Sequence, residues 1–248
     1  MSRRRALGTI GGVGASLWLA ACGQNDDSAK RNDADTAGEA SCETIPQETA
    51  GPFPGDGSNG PNVRTLDGVV RSDIRSSVGA ASGAVDGVEC VVELALIDAT
   101  TCAPFADAAV YVWQCDGVGR YSMYSDGVTD ENWLRGIQSA DADGVVRFTS
   151  IVPGCYPGRW PHIHFDVYAS LDDATGSGVA RLTSQLAFPR AECEAVFGDA
   201  RYGESANYLA RLSLESDGVF ADDGAARQLA TMTGSVTNGY LARLVVPV

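Results

Sequence analysis

Histidine is scarce in this chain, with only two in 248 residues. That scarcity excludes any metal centre built from three imidazoles, such as a three-His zinc or copper site. The seven cysteines include no Cys-x-x-Cys pair, so a thiolate zinc site has no support either. Basic residues are few: 18 Lys and Arg stand against 32 Asp and Glu, for a net charge of −14. A polyanion repels phosphate backbones, which argues against nucleic-acid binding. Long apolar runs are missing too. The stretch Ala6 to Ala21, at 16 residues, is short of the roughly 20 that a membrane-spanning helix needs. Helical periodicity is weak, and no internal repeat is visible.

What the N-terminus does contain is a processing signal. Arg3, Arg4 and Arg5 form a positive cluster, a Gly- and Ala-rich apolar stretch follows, and Leu19-Ala20-Ala21-Cys22 closes it. The pattern predicts a signal peptide over 1–21. The ending resembles a bacterial lipobox, in which Cys22 would carry lipid, and the paired arginines resemble a twin-arginine leader. Residues 23–41 hold no Val, Ile, Leu or aromatic and read as a flexible tether. The expected location is therefore the cell envelope, with the protein lipid-anchored at Cys22. Without the leader, 15 basic residues face 32 acidic ones, a net −17. Six cysteines remain after Cys22: Cys42, Cys90, Cys102, Cys115, Cys155 and Cys193. An even number in an exported chain predicts disulfides, of unspecified pairing.

Residues 42–248 predict one mostly β domain, an antiparallel β-sandwich with long loops and one or two short helices. Strand candidates are Val88 to Ile97, Ala109 to Trp113, Val145 to Phe148, His162 to Tyr168, Arg181 to Phe188 and Tyr240 to Val246. Asp-Gly occurs eight times and supplies tight turns between them. Ala191 to Phe197 and Ala225 to Met232 read as the short helices. Trp113 and Trp133 read as core aromatics.

The two histidines stand together in Arg159-Trp160-Pro161-His162-Ile163-His164-Phe165. Alternate side chains of a strand share a face, so His162 and His164 point the same way and can reach one metal ion. Two imidazoles leave further ligands to be found among carboxylates, thiolates or phenolates. Asp166 is one option, in a two-His, one-carboxylate iron(II) site. Tyr156 lies in the Gly- and Pro-rich turn just upstream, and Tyr121 directly follows another Gly-rich turn.

Several segments, in order, carry a family resemblance. They are Glu48-Thr49-Ala50-Gly51-Pro52-Phe53, then Val112-Trp113-Gln114-Cys115-Asp116 leading to Gly119-Arg120-Tyr121-Ser122, and Trp133-Leu134-Arg135-Gly136-Ile137-Gln138. Phe148-Thr149-Ser150-Ile151-Val152-Pro153-Gly154-Cys155-Tyr156, Gly158-Arg159, His162-Ile163-His164 and Arg181-Leu182-Thr183-Ser184-Gln185-Leu186 complete the series. Over roughly residues 45–190 the chain resembles the intradiol ring-cleavage dioxygenases, the family of catechol 1,2-dioxygenase and protocatechuate 3,4-dioxygenase. The resemblance implies that Tyr121, Tyr156, His162 and His164 ligate Fe(III). It implies a reaction between a small aromatic diol and O2 that opens the ring between the hydroxyl-bearing carbons to a muconate-type diacid. It further implies that Tyr156 leaves the metal and acts as a base, that Arg159 stabilises negative charge on the ring, and that Gln185 holds a ligand or substrate oxygen. Arg135 and Gln138 would shape the pocket, or Arg135 would sit in a loop salt bridge. Cys155 departs from the bulky residue usual beside the axial tyrosine, and the long helical N-terminal region of cytoplasmic relatives is missing. The alternative expectation is an envelope module that binds iron or a catecholate without turnover.

Overall fold

In the computed structural model, residues 42–248 are described; the expected leader, Cys22 and the tether lie outside them. Two four-stranded sheets form a sandwich. The first runs β4-β1-β8-β7, with β1 at Glu89–Ile97, β4 at Val145–Ile151, β7 at Thr231–Ser235 and β8 at Gly239–Pro247. The second runs β3-β2-β5-β6, with β2 at Ala109–Trp113, β3 at Arg135–Ser139, β5 at His162–Tyr168 and β6 at Leu182–Ala187. The second sheet is antiparallel throughout. In the first, β8 lies parallel to β1. A strand that returns from the far end of the chain is under no hairpin constraint, so it can take either direction.

Strands β2 and β5 are buried on both faces, and their two faces serve different purposes. Val110, Val112, Ile163, Phe165 and Val167 enter the core between the sheets with Val92, Leu94, Phe148 and Val246. Ala109, Tyr111, Trp113 and Tyr168 turn outward into a second apolar cluster with Val63, Val69 and Tyr121, roofed by loops. Period-two alternation therefore places His162 and His164 on the loop-covered outer face.

Several expectations need correction. Ala225 to Met232 is not a helix: it turns, bridges Ala187 through Leu229, and enters β7 on the edge of β8. Pairing with β8 overrides the helical propensity of the Ala-rich stretch. Short α-helices number three among the described residues, α1 at Leu171–Thr175, α2 at Arg190–Val196 and α3 at Ser205–Leu209, besides three single 3-10 turns. Among the described residues, only Cys42 and Cys102 form a disulfide. Cys90, Cys115, Cys155 and Cys193 are free and buried, each at most 1% exposed. They act as small apolar core residues. Burial pushes the Cys90 and Cys155 thiols up to about 12, so they stay protonated.

Candidate metal centre

Two tight turns carry the tyrosines. In the first, the Asp116 carboxylate accepts N–H bonds from Val118 (3.0 Å) and Arg120 (2.9 Å), folding the chain back so that Tyr121 follows directly. Gly119 sits at φ +88°, and a Cβ there would lie 2.9 Å from the Cβ of Tyr156. In the second, the Arg159 N–H donates to the Tyr156 carbonyl across Pro157 and Gly158, with Gly158 at φ +82°. Proline followed by a positive-φ glycine is the signature of a type II turn. That turn sets Tyr156 and Arg159 side by side. The loops are stitched together: the Gly154 N–H donates to the Asp116 carbonyl, and Ser205 Oγ accepts from Cys155 N (3.0 Å) and donates to the Gly117 carbonyl (3.0 Å).

Four heteroatoms converge. Tyr121 Oη lies 3.3 Å from both Tyr156 Oη and His162 Nε2, Tyr156 Oη is 3.4 Å from His162 Nε2, and the two histidine Nε2 atoms are 3.1 Å apart. These contacts are long for hydrogen bonds to a hydroxyl, whose usual separation is about 2.7–2.8 Å. Donors each about 2 Å from a shared centre would be separated by roughly 3 Å, the spacing of these four contacts. His162 Nδ1 lies 2.5 Å from the Trp160 carbonyl. A carbonyl only accepts, so Nδ1 carries the proton and Nε2 presents a bare lone pair to the cluster.

The electrostatics agree. Burial drives the His162 imidazole down to about 3, helped by the Arg159 charge, so it is neutral. Burial, then the neighbouring His162, holds His164 well below its ordinary value. Burial raises the Tyr156 phenol to about 12, and burial with Tyr156 beside it holds Tyr121 well above its ordinary value. Two neutral imidazoles and two phenols are a donor set that a hard ferric ion fits. The ion's charge would reverse the burial penalty and ionise the phenols.

The surroundings hold these groups in place. Trp113, His164 and Gln185 lie in one row across β2, β5 and β6. The Trp113 indole stacks on His164 at 4.9 Å and 3°. Arg159 is gripped at two corners: Nε pairs with Asp217 (3.0 Å) and Nη2 donates to Gln185 Oε1 (2.5 Å). Gln185 Nε2 in turn donates to the Thr49 carbonyl (2.9 Å).

Asp166, two positions beyond His164, receives hydrogen bonds from Thr183 (2.7 Å) and Tyr168 (3.1 Å), so its carboxylate is engaged away from the four donors. Among the described residues, no three His, Cys, Asp or Glu are grouped to hold a metal. Among the described residues, Arg135 makes no salt bridge. Fully buried on β3, it donates to the Pro54 carbonyl and to both Ser122 oxygens, tying the N-terminal loop to the residue after Tyr121. Gln138 lies further along β3, opposite Val110. Ser205 and Asp217 carried no sequence signal, because each acts from beyond position 200 through contacts that only the fold creates.

A two-sheet sandwich with a clustered phenol–imidazole donor set on a loop-covered face defines the class of protein. Residues 72–200, just over half of the chain, match the Dioxygenase_C family of dioxygenases, and the chain belongs to the intradiol ring-cleavage dioxygenase family. The protocatechuate 3,4-dioxygenase beta chain of Burkholderia cepacia is 38% identical over 97 residues, which cover 35% of this chain and 39% of that relative. The chain thus matches well under half the length of this curated relative. An intradiol ring-cleavage dioxygenase from Tetranychus urticae superposes with a TM-score of 0.65 at 25% identity, covering 83% of this chain and 94% of the other. The dioxygenase domain of a dioxygenase–carbohydrate-binding protein fusion from Streptomyces sp. SirexAA-E shares the fold, with a TM-score of 0.50 at 23% identity over 83% of this chain and 98% of that one.

Proposed function

We propose that this protein is a non-haem iron(III) dioxygenase that opens the ring of a catechol-type aromatic diol between its hydroxyl-bearing carbons, using O2 and giving a muconate-type diacid. The observation that carries this reading is the convergence on His162 Nε2 of the Tyr121 and Tyr156 phenolic oxygens and of His164 Nε2, at 3.1–3.4 Å, with the two phenolic oxygens 3.3 Å apart. Iron(III) held there supplies the Lewis acidity that makes a diol ionise and its ring electron-rich. The remaining work belongs to the chain. Tyr156 is half-buried whereas Tyr121 is only 2% exposed, so Tyr156 is the donor with room to move and take a diol proton at its phenolic oxygen. Arg159 is held close enough that its charge acts on all four donors, and it opposes the build-up of negative charge on a bound ring. Gln185 fixes the Arg159 guanidinium and ties it to the Thr49 loop.

The arginine cluster and Cys22 support export and lipid attachment in the cell envelope, and the Cys42–Cys102 disulfide suits an oxidising compartment. An oxygen electrode tests the activity. Iron-loaded protein given catechol, hydroxyquinol or protocatechuate should consume O2 steadily while muconate-type absorbance appears. Tight diol binding without O2 uptake would contradict the proposal and favour a binding module.

A further inference from the structure

Asp217 lies beyond the stretch matched by the dioxygenase family, in the turn that follows Leu214–Ser216, and its side chain is fully buried. A buried carboxylate needs a reason to be ionised, and here every acceptor position is used. Oδ2 receives the Arg159 Nε–H (3.0 Å) and the Trp160 N–H (2.6 Å); Oδ1 receives the N–H groups of Val219 (2.8 Å) and Phe220 (3.0 Å). Three of these partners lead directly to the candidate centre. Arg159 is the cation beside the donors. Trp160 presents the carbonyl that sets the His162 tautomer. The Phe220 ring packs edge-on to His162 and lies under the Arg159 guanidinium, at centroid distances of 6.5 and 5.9 Å.

We propose that Asp217 is a positioning residue for ring cleavage, holding the Arg159 guanidinium in the orientation that its charge-stabilising role requires. The inference rests on the dioxygenase reading above. With Nε on Asp217 and Nη2 on Gln185, the guanidinium plane is fixed at two corners, and Nη1 has no hydrogen bond among the described residues. That leaves one corner to meet a ligand. Without the carboxylate, Arg159 keeps only the Gln185 hydrogen bond and can swing about it over the Phe220 ring, and displacement of a catalytic group by about 1 Å can cost on the order of 100-fold in rate. Asp217 does not touch the donors or the diol, so its loss should slow turnover without emptying the metal site.

The test compares wild type, Asp217→Asn, Arg159→Ala and the double variant. It measures kcat and KM by O2 uptake, iron bound per chain after ferric loading, and melting of the metal-free protein by circular dichroism. Asp217→Asn should lower kcat about tenfold or more with KM changed less than about threefold. Its iron content should stay at one per chain. In the double variant kcat should be no lower than in Arg159→Ala alone, because the two residues act as one unit. Multiplied losses in the double variant, or full kcat in Asp217→Asn, would overturn the proposal. If Asp217→Asn does not fold, Asp217→Glu, which keeps the charge and acceptors one methylene displaced, takes its place; unchanged kcat in that variant would overturn the proposal equally. Failure of the dioxygenase reading looks different, since wild type itself would then consume no O2.

Discussion

Proton placement on single residues decides what the centre can hold. Because the Trp160 carbonyl accepts the hydrogen bond from Nδ1–H of His162, the ring's other nitrogen faces the cluster with a bare lone pair. Arg159 acts in the same direction, since its charge disfavours imidazolium and favours phenolate. Asp217 compensates that cation. Burial alone would raise its carboxyl pKa, but the N–H groups of Trp160 and Phe220 and the Arg159 charge outweigh burial and hold it below the ordinary carboxylate range. A depressed carboxyl stabilises the fold when ionised. Its contribution is complete above the unfolded-state value of about 3.9 and is lost as pH falls below that. Asp217→Asn should therefore flatten the fall in stability as pH drops below about 4, read as urea midpoint against pH. An acid limb as steep as that of wild type would mean Asp217 is not ionised in the fold.

Turns and strands then bring those residues together. Much of this scale was legible in the sequence. The His-x-His alternation placed both imidazoles on one face of a strand, and the Gly- and Pro-rich segments before Tyr121 and Tyr156 marked tight turns. What escaped was tertiary in origin. Strand β3 follows directly on Trp133-Leu134 and contains a glycine, and β7, at Thr231–Ser235, owes its existence to pairing with β8, so neither shows strong alternation of its own. The even number of cysteines suggested a disulfide framework, yet Cys90, Cys115, Cys155 and Cys193 fill the core as thiols. Burial, which composition does not reveal, decided their role. Ser205, at the start of α3, and Asp217, in a distant turn, reach the candidate centre and its loops, and no local pattern announces them. The turn at Gly119 offers a test at this scale. Alanine there must adopt φ +88° and press its Cβ within 2.9 Å of Tyr156. Gly119→Ala should cost about 1–3 kcal/mol in urea unfolding and displace Tyr156, weakening metal binding. Wild-type stability and metal binding together would show that the two turns are not packed as described.

Over the whole molecule, the sandwich supplies a stiff platform and the loops supply the chemistry. The core between the sheets holds β2 and β5, and the outer face of β5 carries His162 and His164, met there by Tyr121 and Tyr156 from the covering loops. The Cys42–Cys102 bond ties the start of the described chain to the loop after β1, across a separation of 60 residues. Closing a loop of that size contributes about 4 kcal/mol by restricting the unfolded chain. Reduction should lower the melting temperature by roughly 10 °C. The four buried thiols should react with a thiol reagent only on unfolding; rapid reaction in the native protein would contradict their burial. The central claim, that two phenolic oxygens and two imidazole nitrogens share one iron(III), is tested most directly by the visible absorption spectrum of iron-loaded protein. Phenolate bound to iron(III) absorbs visible light, so wild type should be burgundy, the band should shift when catechol is added, and it should weaken sharply in Tyr121→Phe and in Tyr156→Phe. A colourless iron-loaded protein, or a band that survives loss of both tyrosines, would contradict the account.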